Sequence, residues 1–190
     1  MHLVFQKDSC STDGFVYTGS SRFAAMPEFR QQPDYIENVP TPVSRDGYAY
    51  TTLITEEKLQ PNVTIRTHCT FEQEAAPLFV IAKELKEKDG KLFYSDYLEV
   101  VVWKNGINVW ELWQDESETV QIRNLLELKT PLQTGQLHDF SLRITKDRFA
   151  VQLDDLSFNL YCDKIYESFH LGFTGCEGPC RFYDLQIEKE

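Results

Sequence analysis

Residues 97–113, YLEVVVWKNGINVWELW, decide how this chain folds. Two apolar runs flank an Asn-Gly pair. Both central positions of a type I′ turn need positive φ, and Asn-Gly meets that need better than almost any other dipeptide. With Asn105 and Gly106 at those positions, Lys104 opposes Ile107, Trp103 opposes Asn108, Val101 opposes Trp110, Glu99 opposes Leu112 and Tyr97 opposes Gln114. Side chains alternate between faces along a strand. One face of the expected hairpin therefore collects Leu98, Val100, Val102, Ile107, Val109, Glu111 and Trp113, mostly aliphatic. The other carries Tyr97, Glu99, Val101, Trp103, Asn108, Trp110, Leu112 and Gln114.

The same period of two recurs outward from this hairpin. VTIRTHCTF (63–71) puts Val63, Ile65, Thr67, Cys69 and Phe71 on one face, and Thr64, Arg66, His68 and Thr70 on the other. FSLRI (140–144) turns Phe140, Leu142 and Ile144 inward. RFAVQLDDLSFNLY (148–161) reads as a second hairpin with Phe149, Val151 and Leu153 inward. Turn signals punctuate the chain at Asp46-Gly47, Asp89-Gly90, Asn105-Gly106, Thr134-Gly135 and Asp154-Asp155. No window has a helical period. ELKEKDGK (84–91) is charged and short and reads as a solvated loop. Residues 19–47 hold Pro27, Pro33, Pro40 and Pro42, half of the eight prolines, and read as long loops around one short strand, YIENV (35–39).

About a dozen strands in 190 residues exceed the seven of an immunoglobulin-like sandwich. The expectation is one all-β domain over 1–190, a two-sheet antiparallel jelly roll with essentially no helix and a loop-rich N-terminal segment, 1–47. Aromatics make up 13%, with 13 Phe and 9 Tyr, a usage that favours strands.

Two segments carry a resemblance. GQLHDFSLRITKDRFAVQLDD (135–155) resembles the strand–turn–strand of laminin-G and galectin-like domains, in which a His or Trp opens the strand. FHLGFTGCEGPCRFYDLQIE (169–188) resembles their last strands. The chain thus looks like a member of the concanavalin A-like lectin/glucanase superfamily. The resemblance implies a sandwich with one concave sheet on which carbohydrate sits, and it makes His138 the structural His that opens its strand.

The mixed face of the first hairpin is where a sugar would go. The C–H face of a pyranose packs on an indole, and its hydroxyls need donors and acceptors. Tyr97, Glu99, Trp103, Asn108 and Trp110 supply both, and Arg66 and His68 are expected nearby. An alternative stays open: residues 19–47 cover the indoles and make a second core there, with Arg66 as the partner of Glu99.

Other chemistries find less support. The glucanase pattern E-x-D-x-x-E is absent, as are phosphate-binding, dinucleotide-binding, nucleophile-elbow and zinc-protease motifs. Cys176 and Cys180 bracket one short loop, but no second ligand pair accompanies them, so no metal and no cofactor is expected. The net charge of −11 repels a phosphate backbone or an anionic membrane. Five cysteines, an odd number, suit reduced thiols and a cytoplasmic location, and MHLVFQKDSCSTDGF lacks the basic and apolar regions of a signal peptide. The expected function is a non-catalytic, lectin-like carbohydrate-binding module. The alternatives are a glycoside hydrolase or polysaccharide lyase of the same superfamily, and a protein-interaction domain.

Overall fold

A computed structural model of the chain describes residues 1–8, 10–20, 28–38, 41–44, 47–49 and 52–190. Among these, twenty strands and no helix occur. In chain order they are β1 (His2–Val4), β2 (Phe15–Ser20), β3 (Arg30–Gln31), β4 (Ile36–Glu37), β5 (Thr41–Ser44), β6 (Gly47–Ala49), β7 (Thr52–Thr55), β8 (Val63–Phe71), β9 (Ala76–Ala82) and β10 (Leu85–Lys88). They continue with β11 (Lys91–Tyr94), β12 (Tyr97–Trp103), β13 (Gly106–Gln114), β14 (Val120–Lys129), β15 (His138–Ile144), β16 (Arg148–Leu153), β17 (Leu156–Tyr161), β18 (His170–Cys176), β19 (Cys180–Phe182) and β20 (Asp184–Lys189). The excess over a dozen comes from strands of two to four residues, too short for their period to register.

Two large sheets form the sandwich. The first runs β17-β16-β15-β8-β19-β4-β3, and β20 pairs both β8 and β1. The second runs β10-β11-β2-β7-β18-β9-β12-β13-β14. The expected all-β jelly roll is therefore the observed architecture. Almost every pairing is antiparallel; β11 lies parallel to β2.

Between the sheets lies the main core. From the first sheet come Val63, Ile65, Cys69, Phe140, Leu142, Ile144, Phe149, Val151 and Leu153, the residues that alternate inward in sequence. The second sheet contributes Leu53, Phe79, Ile81, Leu98, Val100, Val102, Ile107 and Val109. Phe79 stacks on Phe140 across the gap, ring centroids 4.1 Å apart. All seven residues of β9 are buried, because both faces of this central strand are covered.

The chain changes sheets at CEGPC (176–180). Asn38 organises this turn. Its Nδ2 donates to the carbonyls of Gly175 and Gly178, both at 2.9 Å, and its Oδ1 accepts the Cys180 N–H at 2.6 Å.

Three local expectations need correction. The segment expected as a solvated loop, 84–91, holds β10, the turn and the first residue of β11, with Lys88 paired to Lys91. Its charges reflect a strand at a sheet edge, where they deter further pairing. Asp89 and Gly90, at φ 53° and 72°, make the type I′ turn there. The 97–113 hairpin exists, but its register is displaced by two residues. Trp103 pairs with Gly106, Val101 with Asn108, Glu99 with Trp110 and Tyr97 with Leu112. The turn is Lys104-Asn105, and Asn105 does not take a positive φ. Gly106 serves a different need: a Cβ there would lie 1.8 Å from the Leu128 carbonyl oxygen of β14. A shift of two keeps every side chain on its expected face.

Within 19–47, β4 occupies part of the expected short strand, with β3, β5 and β6 beside it in sequence. Residues 21–27, 39, 40, 45 and 46, including Asp46 of the expected Asp46-Gly47 turn, lie outside the described residues.

Candidate functional site

The second sheet buries its other face as well, in part. Ile54, Leu78, Val80, Ala82, Tyr94, Tyr97 and Leu112 form a second apolar cluster there, and Val101, Trp110 and Val120 pack against it half-buried. This is the mixed face of the hairpin, turned away from the first sheet.

Its residues fall into two layers. Tyr97 and Glu99 lie at the base. Tyr97 is fully buried and meets Tyr94 edge-on, centroids 4.6 Å apart. Tyr94 in turn shares a 2.7 Å hydrogen bond with the Thr52 hydroxyl, and burial holds its phenol well above the usual range. Glu99 is 5% exposed. Trp103, Asn108 and Trp110 are half-buried and form the rim. Along the strand axis they are ordered by the register: Trp103 stands at Gly106, Asn108 at Val101 and Trp110 at Glu99. Asn108 thus lies between the two indoles, about 7 Å along the strands from each.

The third strand adds residues that the motif reading missed. Pairing of β13 with β14 sets Glu127 beside Asn108, Asn124 beside Trp110 and Ile122 beside Leu112. A bulge opposite Val109 and Trp110 leaves Leu125 without a partner in the register and breaks the period of two in VQIRNLLELK. That break removed the signal that would have placed Asn124 and Glu127 on this face. Trp113 falls on the opposite face with Glu111, whose carboxylate is ion-paired to Arg123.

Two polar atoms at the rim, Trp103 Nε1 and Asn108 Oδ1, are buried and have no hydrogen-bond partner among the described residues. Among the described residues, the two lysines at this end of the row are ion-paired. Lys104 Nζ lies 2.5 Å from Glu74, and Lys129 Nζ 3.6 Å from Glu127.

Arg66 and His68 do not belong to this group. Both stand on β8 of the first sheet and point away from the core. Arg66 faces Asp139 at 3.4 Å, so it is not the partner of Glu99. His68 is braced by Asp184, which accepts from the His68 backbone N–H at 2.8 Å and meets its Nδ1 at 2.7 Å. The polar face of one strand was legible, but which sheet it joins depends on pairing with β15, seventy residues onward. His138 repeats the clamp in a buried setting: Asp154 Oδ2 at Nδ1 and the Gln133 carbonyl at Nε2, each 2.7 Å away, with Phe71 stacked on the ring.

Cys10, Cys69, Cys162 and Cys180 form no disulfide among the described residues. Burial pushes the Cys69 and Cys180 thiols up, which disfavours the thiolate that metals and electrophiles require. Among the described residues no three His, Cys, Asp or Glu side chains converge as a metal would require.

Comparison with solved structures identifies the architecture. The carbohydrate-binding module CBM66 from Bacillus subtilis superposes with a TM-score of 0.64 at 13% identity, over 93% of this chain and 96% of that one. A glycoside hydrolase family 16 endo-glucanase from Bacteroides ovatus gives 0.63 at 9% identity, covering 99% of both chains. A Bacillus subtilis protein with a galectin-like fold gives 0.63 at 10%, over 100% of this chain and 94% of that one. No model of a known protein family matches the sequence, and no curated protein resembles it in sequence. The chain has the concanavalin A-like jelly-roll fold, shared with carbohydrate-binding and glycan-cleaving proteins.

Proposed function

We propose that this protein is a non-catalytic carbohydrate-binding module whose ligand lies on the outward face of the second sheet, across Trp103, Asn108 and Trp110. The observation that carries this reading is the row itself: two half-buried indoles with an amide side chain between them. Specific sites combine an apolar platform with a few placed polar groups. Tyr97 and Glu99 support the rim from below, and Asn124 and Glu127 flank it.

Binding is favoured over hydrolysis by the carboxylates. On β7, β9, β12, β13, β14 and β18 this face carries only Glu99 and Glu127. They are two strands apart and two residues offset, about 12 Å by backbone spacing. A retaining pair needs its carboxyl groups about 5–5.5 Å apart and an inverting pair about 6.5–9.5 Å, so from this backbone spacing the two side chains would have to reach toward each other to work as a pair. The buried position of Glu99 further removes it from a solvent-borne substrate.

The charge of −11 supports a ligand other than nucleic acid or an anionic membrane. The odd number of cysteines, five, supports a reducing, cytoplasmic setting. No helix among the described residues is long and apolar enough to cross a membrane.

Titration calorimetry against a panel of oligosaccharides, with a parallel assay for new reducing ends and unsaturated products, tests the reading. Saturable binding without product is expected. Product formation would replace it with the hydrolase or lyase. Absence of binding, together with a stable oligomer that occludes Trp110, would replace it with the protein-interaction reading.

A further inference from the structure

We infer that β17 is an interface whose partner is a second copy of this chain. Two β17 strands pair antiparallel about a twofold axis and join the first sheets of two molecules into one.

The two large sheets differ in how they end. A strand with an unpaired side offers a row of backbone donors and acceptors, and proteins defend such edges by shortness, charge, proline or a bulge. β1 and β3 have only three and two residues. β10, LKEK, is charged at all positions but the first. β14 is broken by its bulge and carries Arg123, Glu127 and Lys129. β17, LSFNLY, has none of these defences. It runs for six residues without charge or proline, in unbroken register with β16.

The hairpin determines which of its backbone groups are free. Along an antiparallel pair, successive residues bond alternately toward the neighbour and away from it. Cys162 donates its N–H to the Asp147 carbonyl, on the β16 side. By alternation Leu160, Phe158 and Leu156 bond to β16, while Ser157, Asn159 and Tyr161 point their N–H and C=O groups outward. Among the described residues, no hydrogen bond from a loop reaches these outward groups.

The strand is complementary to itself. With the axis at Asn159, that residue faces Asn159 of the second copy, and Ser157 faces Tyr161 of the second copy. Each facing pair exchanges two backbone bonds, so the pairing uses every outward N–H and C=O. On the outer face a small Ser lies beside a Tyr that is 70% exposed, and two carboxamides meet, each both donor and acceptor. On the inner face Phe158 adjoins Leu160 of the second copy and continues the apolar row that packs on the core. A shift of one residue would set this row against the polar one. Beyond the strand, Asp155 would face Asp163 of the second copy, and these like charges end the pairing.

Charge favours the same partner. At a net −11 two copies repel over most of their surface, and a neutral strand is where they can approach. A strand without charge has nothing with which to select an acidic or basic partner, whereas its twofold pattern selects its own sequence. The rim at Trp110 belongs to the second sheet, so the inference goes beyond the carbohydrate reading and does not depend on it.

Sedimentation of the full chain over a wide concentration range, with residue-resolved hydrogen exchange, tests the interface. One strand pair is small beside a standard interface, so a reversible dimer is expected, at twice the 22.2 kDa of one chain. The amides of Ser157, Asn159 and Tyr161 should exchange more slowly as the dimer forms. Added salt should tighten it by screening the repulsion between copies. Asn159→Lys sets two like charges on the axis and should weaken the dimer at least about tenfold, with Tm near that of wild type. Asn159→Pro deletes the central donor and should act in the same direction. A monomer at every concentration up to about 1 mM would overturn the inference. So would a dimer that Asn159→Lys leaves at wild-type strength, or one in which the three amides exchange as fast as in the monomer. The exchange measurement on wild type decides the matter even if a variant fails to fold.

Discussion

Trp110 stands directly across from Glu99, its side chain half-buried where Glu99 is only 5% exposed. One cross-strand pair thus spans both layers of the outward face: a base that belongs to the fold and a rim that meets solvent. Changes at the base should register as stability, and changes at the rim as ligand affinity.

Gly106 is fixed by the strand that passes it. A Cβ at this position would meet the Leu128 carbonyl at 1.8 Å, and φ is 147°. Gly106→Ala should therefore separate β13 from β14, at a cost of about 3 kcal/mol or more. Hydrogen exchange should show the amides of 120–129 losing protection before those of β9. Protection equal to wild type would show that β14 can give way.

Asn38 bolts the turn at which the chain changes sheets. Asn38→Ala removes two donated bonds and one accepted bond, and strands the Cys180 N–H in a buried site. The expected loss is roughly 2–4 kcal/mol, read as a fall in Tm of about 5–15 °C. A Tm within about 2 °C of wild type would mean that this turn is held by other contacts.

Alkaline stability follows from the tyrosines. Burial, then Glu28 and Cys10, raises the Tyr17 phenol to about 12, and burial raises Tyr94 and Tyr166 as well. The unfolded chain ionises its tyrosines near pH 10. The folded state holds these protons more tightly, so their contribution is complete below about pH 10 and is lost as pH rises toward 12. Tyrosinate absorbance followed with circular dichroism should show these phenols ionising only as the fold is lost. Full ionisation near pH 10 with the dichroism unchanged would contradict their burial.

Much of this architecture was legible. Strict alternation in 63–71, 140–144 and 149–153 marked one inward face each, and the residues it named line the core. The division of the 97–113 hairpin into two faces also survives, because a slip of two residues preserves parity. Its register did not, because Asn-Gly satisfies a local rule while Gly106 answers to Leu128, a contact more than twenty residues away. The β10–β11 hairpin was masked by its charges, which belong to an exposed edge. Residues of the candidate site follow the same logic. Trp103, Asn108 and Trp110 share a face by local spacing. Arg66 and His68 were misplaced because sheet membership is set by distant pairing, and Asn124 and Glu127 were hidden by the bulge at Leu125.

The central claim is that the rim of this face binds sugar, and Trp110→Ala tests it most directly. Wild type and variant would be compared by calorimetric titration with an oligosaccharide that binds the wild type and by thermal melting in the same buffer. Loss of a stacking platform should weaken binding by about thirtyfold or more, equivalent to 2 kcal/mol, while Tm changes little. If the indole is core instead, the cavity it leaves should cost roughly 3–5 kcal/mol of stability. A large fall in Tm, with no oligosaccharide bound by the wild type, would contradict the account.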